Sequence, residues 1–177
     1  MNVAEVNNGT LGPFDDFYGA HLNAVANYVS RRCSQADVLD VVAETFVVAW
    51  RRFEEIPDDS TARPWLYGVA RRVLANHIRG SRRRAALSER LQSEWRPAVV
   101  SSPATTLAPL RRALDTLTES DREVLMLAGL EELSPAEIAV ALELTPEAAR
   151  TRLSRARSRL RAQLDADASA ATTHKEI

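Results

Sequence analysis

The sequence predicts an all-α protein of two small helical domains joined by a flexible linker. Apolar residues recur at steps of three and four along most of the chain, which is the spacing of a helix with one buried face. Six glycines and eight prolines in 177 residues are too few for a turn-rich β-protein. A stretch without this period separates the two sets of helices. The predicted parts are therefore a disordered start (1–13), a first domain (14–84), the linker (85–106), a second domain (107–164) and a tail (165–177).

Two helices are predicted at the start of the first domain. The first begins near Phe14 and keeps apolar side chains on one face as far as Val29. The second begins around Asp37 and continues to Phe53, and its apolar stripe is wide enough to make it central to the first core. Pro57 and the polar residues after it are expected to end this helix.

A third helix is predicted from Pro64, because proline suits the first helical position, where its missing N–H loses no hydrogen bond. One face of this helix is apolar, the other is rich in arginine, and Gly80-Ser81 is a candidate break. Trp65 and Tyr67 lie close to several of these arginines, a combination that suits stacking on unpaired bases. A place in the core is the alternative for Trp65.

Four helices are predicted in the second domain, between Leu107 and Leu164. After a short amphipathic helix, Thr118 offers a capping box for the second. Ser134 offers a stronger box for the third, with proline next to it and glutamate three residues later. Thr145, followed by proline, begins the last helix in the same way. Because the connection between the last two helices is tight, this pair has the layout of a helix-turn-helix.

The formal net charge of −1 hides a strong segregation of charge along the chain. Residues 71–90 carry seven arginines and one acid, and residues 150–161 carry six arginines and no acid, whereas 1–62 and 91–149 each carry four arginines and ten acids. Clustering of basic residues, more than net charge, indicates contact with DNA. A solvated helix face is the alternative for either block alone, although an exposed structural helix normally mixes both signs of charge.

Arginine suits the outward face of the last helix because its guanidinium binds phosphate oxygens or the O6 and N7 atoms of guanine. The first turns of a recognition helix reach base edges. The candidates for base recognition are therefore Arg150, Thr151, Ser154 and Arg155. The candidates for phosphate contacts, or for packing on the domain, are Arg152, Arg157, Arg159 and Arg161.

Three stretches of the sequence resemble the extracytoplasmic-function (ECF) sigma factors of the sigma-70 family. They read DVVAETFVVAW (40–50), RPWLYGVARR (63–72) and, at the end of the helix-turn-helix, RLSRAR (152–157). The resemblance extends from about Phe14 to Leu164. It implies that the two domains are sigma region 2, a helical bundle, and sigma region 4, a helix-turn-helix. The implied function is that of an alternative sigma factor, which binds core RNA polymerase and directs promoter recognition and DNA opening at transcription initiation.

The resemblance also implies three sets of functional residues. Binding to the clamp helices of the polymerase beta-prime subunit is implied for Asp40, Val41, Glu44, Phe46 and Trp50. Recognition and melting of the nearer upstream promoter element is implied for Arg63, Trp65, Arg71, Arg72, Asn76, Arg79, Arg82, Arg83 and Arg84. Recognition of the farther upstream element in double-stranded DNA is implied for Arg150, Thr151, Arg152, Ser154, Arg155, Arg157 and Arg159.

Further features follow from the same resemblance. The loop 56–63 would hold a flipped base of the melted strand, and the second domain would also contact the polymerase beta flap. Three positions depart from residues that the family often has: Ala43 replaces glutamine, Arg72 replaces asparagine and Asn76 replaces aspartate. An anti-sigma factor is a further partner that the family admits, and nothing in the sequence identifies one.

Other classes of protein compete with this interpretation. A helix-turn-helix regulator that binds an operator is the main alternative, but it has no need of the second basic block at 71–90. Catalysis is not expected, because three scattered histidines and the lone Cys33 form no recognisable catalytic motif. We expect no metal, no cofactor and no membrane contact, because cysteine ligands are lacking and no apolar stretch approaches the roughly 20 residues that span a bilayer. A cytoplasmic location is therefore predicted.

Overall fold

The computed structural model describes residues 12–57, 59–89 and 108–173, with side chains at 12–57, 60–81 and 109–167. No β-strand occurs in these residues, which confirms the all-α prediction. The contacts divide the chain into two compact units, residues 1–83 and 84–177. The helices are α1 (Pro13–Ser30), α2 (Val38–Arg51), α3 (Asp59–Glu89), α4 (Ala108–Thr116), α5 (Glu119–Gly129), α6 (Pro135–Leu142) and α7 (Pro146–Thr173), with a 3₁₀ turn at Phe53–Glu55.

The core of the first unit is built by α1, α2 and α3. Aromatic rings join these helices: Tyr28 of α1 stacks on Tyr67 of α3 with ring centroids 4.8 Å apart, and Tyr18 of α1 meets Phe46 of α2 at 4.6 Å. The guanidinium of Arg32 lies over the Tyr28 ring, 3.7 Å from its centroid. Aromatic side chains bury much apolar area with few rotatable bonds, so these pairs define how the three helices meet.

The second helix is shorter than the sequence predicts. It ends at Arg51, and Phe53 belongs to the separate 3₁₀ turn instead. The reason is packing, because the Phe53 ring turns back onto α1, where its centroid lies 5.4 Å from that of Phe14 and 5.9 Å from that of Phe17. This turn brings the connection between α2 and α3 against the beginning of α1.

The third helix begins at Asp59, so the prediction that Pro64 occupies the first helical position is wrong. Pro64 lies inside the helix and is fully buried. A proline at this depth removes only the hydrogen bond to the carbonyl of Ser60. An acidic residue at the start of the helix is favourable, because it faces the positive end of the helix dipole.

The predicted break at Gly80-Ser81 is also wrong, because α3 continues without interruption to Glu89. A glycine lowers the stability of a helix by about 1 kcal/mol relative to alanine, which the arginines and alanines on either side can offset. The helix therefore extends beyond Ala85, where the sequence places the start of the linker. The rest of that predicted segment, 90–106, lies outside the described residues.

In the second unit, side chains cap the starts of three helices. Both hydrogen bonds of the Ser134 box are present: the Glu137 N–H donates to the Ser134 hydroxyl at 3.3 Å, and the Ser134 N–H donates to the Glu137 carboxylate at 2.8 Å. Thr145 accepts from the Ala148 N–H at 3.1 Å. Thr118 forms only half of its predicted box, because it accepts from the Asp121 N–H while the Asp121 carboxylate turns towards α7.

The helix-turn-helix consists of α6 and α7, as predicted. Glu143 ends α6 in the left-handed conformation, with φ 55°. Its N–H donates to the Val140 carbonyl at 3.3 Å, and the Leu144 N–H donates to the Ala139 carbonyl at 2.9 Å. These two bonds form a Schellman motif, which satisfies carbonyls at the end of the helix and makes the turn tight without a glycine.

The last helix is longer than predicted, since it continues past Leu164 to Thr173. Alanine is frequent in this extension, and it is the strongest helix former. Arg112 of α4 lies 3.5 Å from the carboxylate of Asp167, so the extension also contacts the first helix of the unit. The prediction of a tail that begins at residue 165 is therefore wrong over 165–173.

Candidate nucleic-acid interface

The rotation of α7 is set by three small or apolar side chains that face the unit's interior. Ala149, Leu153 and Ala156 are buried, which matches their apolar spacing of four and three residues in the sequence. Side chains between these positions must point away from α6, because successive helical residues are about 100° apart. The exposed candidates on α7 are Arg150, Thr151, Ser154, Arg155, Arg157, Arg159 and Arg161, whereas Arg152 is half-buried.

The arginines of α7 differ in their ion pairs. Arg150 lies 3.0 Å from Glu147, one turn earlier on the same exposed face. Arg159 pairs with Asp121 of α5, which fits the alternative of packing on the domain that the sequence leaves open for it. Among the described residues, the remaining arginines at the centre of this face make no ion pair with a carboxylate: Arg152, Arg155 and Arg157.

A groove with a volume of about 420 Å³ follows the first half of α7. Its lining is polar and comes from the start of α5 and from one side of α7. It is lined by Asp121, Glu147, Ala148, Thr151, Arg152, Arg155 and Arg159. Several candidates for base and phosphate contacts thus share one concave surface.

The second arginine-rich surface is on α3, in the first unit. Arg63, Asn76 and Arg79 are exposed, and Arg79 donates a hydrogen bond to the Asn76 amide oxygen. Arg71 and Arg72 are half-buried. The Nε atom of Arg71 is buried without a hydrogen-bond partner among the described residues, so its stem packs against the core. The side chains of Arg82, Arg83 and Arg84 lie outside the described part of α3.

The loop predicted to hold a flipped base is shorter in the structure, because residues 59–63 are helical. Ile56, Pro57 and Ala62 still line a cavity of about 620 Å³, whose other walls include Phe17 and Phe53. Trp65 is half-buried and lies apart from that lining. The Arg52 guanidinium is 5.6 Å from the Trp65 ring centroid, within the range of a cation–π contact.

One face of α2 exposes a stripe of apolar side chains, of which the sequence analysis identified only Trp50 as a binding residue. Leu39 is 80% exposed, Val47 43% and Trp50 63%, and Ala43 is exposed between them. Their spacing of four, four and three residues places them in one stripe along the helix. The signal in the sequence is the width of the apolar arc, which exceeds what one buried face requires.

Two of the five residues predicted to bind core polymerase are buried on the opposite face of α2. Val41 and Phe46 pack in the core, so the expectation of direct contact is wrong for both. The reason is helical rotation, because a helix packed on one side exposes only the other. Asp40 and Glu44 are exposed beside the apolar stripe, and Trp50 belongs to it. We call the face formed by Leu39, Asp40, Ala43, Glu44, Val47 and Trp50 the α2 outer face.

Cys33 and His77, two side chains that could react or bind a metal ion, both lie near Asp37. Burial raises the pKa of the Cys33 thiol, and the negative charge of Asp37 raises it further, so Cys33 is a protonated thiol at neutral pH. His77 Nε2 lies 2.9 Å from the carboxylate of the same Asp37. No group of three histidine, cysteine or acidic residues in the described ranges is arranged to hold a metal ion. None of the described helices combines the length and apolar character needed to cross a membrane.

Both units match models of known families. Residues 17–84 match the model for sigma-70 region 2, and residues 107–160 match the model for sigma-70 region 4. The order of the two models is the order of the two units. The first match includes the whole of the α2 outer face, and the second includes the helix-turn-helix.

Whole-chain comparisons agree with these matches. The RNA polymerase sigma factor CnrH of Cupriavidus metallidurans is 30% identical over 178 residues, with 93% of each chain covered. The ECF RNA polymerase sigma-E factor of Escherichia coli K12 is 30% identical over 168 residues, with 88% of each chain covered.

Solved structures of sigma factors are also similar. CnrH in complex with the cytosolic domain of CnrY has a TM-score of 0.59 and 32% identity, and the match covers 87% of this chain and 88% of that one. The sigma factor RpoE of Bartonella quintana, in complex with the anti-sigma factor NepR, has a TM-score of 0.62 and 25% identity, with 87% and 98% covered. Since relatives and family models match in order along nearly the whole sequence, this protein belongs to the ECF sigma factors of the sigma-70 family.

Proposed function

We propose that this ECF sigma factor divides promoter recognition between its two units. The first unit binds core RNA polymerase and the melted strand, and the second reads the farther upstream element in duplex DNA. The observation that supports this proposal best is that each unit presents its own arginine-bearing helix, α3 and α7 respectively. An operator-binding regulator needs only the helix-turn-helix, so the surface on α3 favours the sigma function.

In the second unit, α7 is proposed as the recognition helix in the major groove. Thr151, Ser154 and Arg155 project from its first turns, where such a helix comes closest to base edges. Arg155 can bind the O6 and N7 atoms of a guanine with two hydrogen bonds. Arg152 and Arg157 are proposed to contact phosphates, which orient the unit on DNA without reading sequence.

In the first unit, the α2 outer face is proposed to dock on the clamp helices of the beta-prime subunit. An exposed apolar stripe with a tryptophan suits the centre of a protein interface, where aromatic side chains contribute much of the binding energy. Asp40 and Glu44 at its edge would orient the contact with a basic partner. Val41 and Phe46 contribute indirectly, because they hold α2 against the core.

The basic surface of α3 is proposed to follow the melted strand. Its residues are Arg63, Arg71, Arg72, Asn76 and Arg79, continued by Arg82 to Arg84, and Trp65 adds an aromatic ring for base stacking. A protein that binds melted DNA more tightly than duplex shifts the equilibrium towards the open form. Opening then requires no nucleotide hydrolysis by this chain, which is consistent with a family of non-enzymatic factors.

Further partners and the location follow from the same assignment. Two of the similar structures, CnrH and RpoE, were solved with a partner protein bound, and that of RpoE is named as an anti-sigma factor. We propose that this chain too is a target for an anti-sigma factor, and that its second unit contacts the beta flap. Its place of action is the cytoplasm, where polymerase and promoter DNA are found, and it acts without a cofactor.

The proposed function is tested by multi-round transcription from a library of genomic fragments. Purified core polymerase is used with and without the full-length protein. Discrete new transcripts whose start sites share two upstream elements are the expected result, and they also define the promoter sequence. An absence of new transcripts, together with no co-elution with core polymerase, would contradict the proposal and favour an operator-binding regulator.

Replacing Arg71 and Arg72 together by alanine is expected to impair DNA opening more than formation of the closed complex. A hydrogen bond to a charged group contributes about 1.5–3 kcal/mol, so losing two should lower the open-complex equilibrium about 100-fold or more. The measurement is permanganate reactivity of melted thymines, beside a mobility-shift assay of the closed complex. The control replaces the exposed Arg111 of α4 by alanine and leaves its neighbour Arg112, which pairs with Asp167, in place. Unchanged thymine reactivity in the α3 variant would count against the assignment.

A further inference from the structure

One ion pair on α7 ties an exposed arginine to the neighbouring helix α5. The Arg159 guanidinium pairs with the carboxylate of Asp121, the third residue of α5. Asp121 is only 7% exposed at its side chain, whereas Arg159 is 58% exposed. The pair therefore joins a buried negative charge to a positive charge that lies at the protein surface.

Two further features stabilise Asp121 at this position. The Asp121 N–H donates to the Thr118 hydroxyl at 3.1 Å, which anchors its backbone in the first turn of α5. That turn is also the positive end of the helix dipole, where an anion is stabilised. If Arg159 left for a DNA phosphate, Asp121 would remain as a buried charge without its counterion, and such a state is strongly unfavourable.

The position of the pair relates it to the proposed DNA contacts. Asp121 and Arg159 line the same groove as Thr151, Arg152 and Arg155. Arg159 lies one helical turn beyond Arg155, so its guanidinium would be within reach of the same DNA backbone if Asp121 did not hold it. The pair also connects α5 to α7 at a point beyond the helix-turn-helix itself.

We propose that Asp121 is a positioning residue that withholds Arg159 from the DNA backbone and fixes α7 for base reading by Arg155. This inference rests on the proposed function of α7 as the recognition helix. It assigns Arg159 to the protein's own structure, in contrast to the other arginines of that face. By removing one phosphate contact, the pair lowers affinity for DNA of any sequence and so increases the share of binding that depends on bases.

The test measures how the affinity of the full-length protein for a short duplex of random sequence depends on salt. Each phosphate contact adds about 0.9 to the slope of log affinity against log salt concentration. Asp121→Asn should release Arg159 and steepen the slope by about 0.9. The gain in affinity over the unmodified protein should then shrink about threefold between about 50 and 200 mM salt. A residue that only stabilised the fold would lower affinity when replaced and would not steepen the slope.

Three control variants make the result specific. Arg159→Ala in the otherwise unmodified chain should leave the slope unchanged, and adding it to Asp121→Asn should abolish the steepening. Glu119→Gln removes the same charge from the same turn of α5 at an exposed site, and it should steepen the slope less than Asp121→Asn. The inference is wrong if Arg159→Ala alone flattens the slope by about 0.9, or if Asp121→Asn behaves like Glu119→Gln.

Failure of this inference is distinguishable from failure of the proposed function. The slopes on random DNA concern only Arg159. If Arg159→Ala does not fold, because it leaves Asp121 buried without a counterion, Arg159→Gln keeps a hydrogen-bond donor for that carboxylate and decides the same question. The role of α7 in promoter recognition is tested separately, through the discrimination between promoter and scrambled DNA. If the protein discriminates between the two DNAs through Arg155 but Arg159→Ala flattens the salt slope, the proposed function holds and the inference about Arg159 is wrong.

Discussion

Replacing Trp50 by alanine is expected to weaken binding to core RNA polymerase by about 30-fold or more, with little effect on the melting temperature. Truncating an aromatic hot spot at the centre of an interface costs about 2 kcal/mol or more. Trp50 is the largest side chain of the α2 outer face and is 63% exposed, so the folded protein loses little packing when it is removed. The affinity is measured by titrating labelled full-length protein with core polymerase, and folding is followed by thermal unfolding.

A neighbouring substitution controls for general effects on α2. Arg51→Ala changes the adjacent exposed residue and removes a charge, but it leaves the apolar stripe intact. It should bind core polymerase within a few-fold of the unmodified protein, because charges at the rim of an interface contribute little affinity. If Trp50→Ala bound as tightly as Arg51→Ala, core polymerase would have to dock on a different surface of the first unit.

Arg155→Ala is expected to reduce the preference for promoter over scrambled DNA by about 1–3 kcal/mol, or roughly 5- to 150-fold. A bidentate contact to a guanine discriminates against the wrong base by this amount. Affinity for scrambled DNA should fall much less, since only one of several charges is lost. Both affinities are measured with holoenzyme on duplexes that carry the upstream element or a shuffled version of it.

Arg157→Ala provides the matched comparison, because it removes the same side chain from an exposed position two residues further along α7. If Arg157 contacts a phosphate, its replacement by alanine should lower affinity for both duplexes by the same factor and reduce the salt slope by about 1. Equal losses on both duplexes for Arg155→Ala would show that it does not read bases. Arg150, Thr151 and Ser154 would then be the remaining candidates on the exposed side of the first turns.

Local rules explain why much of this structure is predictable from sequence. The caps at Ser134 and Thr145 work through hydrogen bonds between residues three apart, so their residue types identify helix starts directly. The apolar period likewise predicts the inward stripe of α7. The predicted helix break at Gly80 is wrong because the signal for it is weak. A glycine lowers helix stability by about 1 kcal/mol, which is too little to end a helix whose neighbouring residues are good helix formers.

The site could be predicted only to the level of the helix that carries it. The arginines between 150 and 161 predict that α7 faces DNA, and the sequence divides them between base recognition and either phosphate contacts or packing on the domain, without deciding which of these last two applies to Arg159. The structure separates Arg155, which makes no ion pair among the described residues, from Arg159, which is bound by Asp121. Arg159 and Asp121 are 38 residues apart along the chain, and no local spacing rule relates them.

By itself, the sequence determined the all-α class, the order of the helices, the helix-turn-helix and the segregation of arginine into two blocks, because each depends on short-range periodicity, capping or composition. Tertiary packing alone decided which side of α2 is outer, so that Val41 and Phe46 are buried while Leu39 and Trp50 are exposed. Tertiary packing also decided that Arg159 forms an ion pair with Asp121. An apolar arc or an arginine is compatible with either role in isolation, and only the neighbouring helices determine which atoms are left to face a partner.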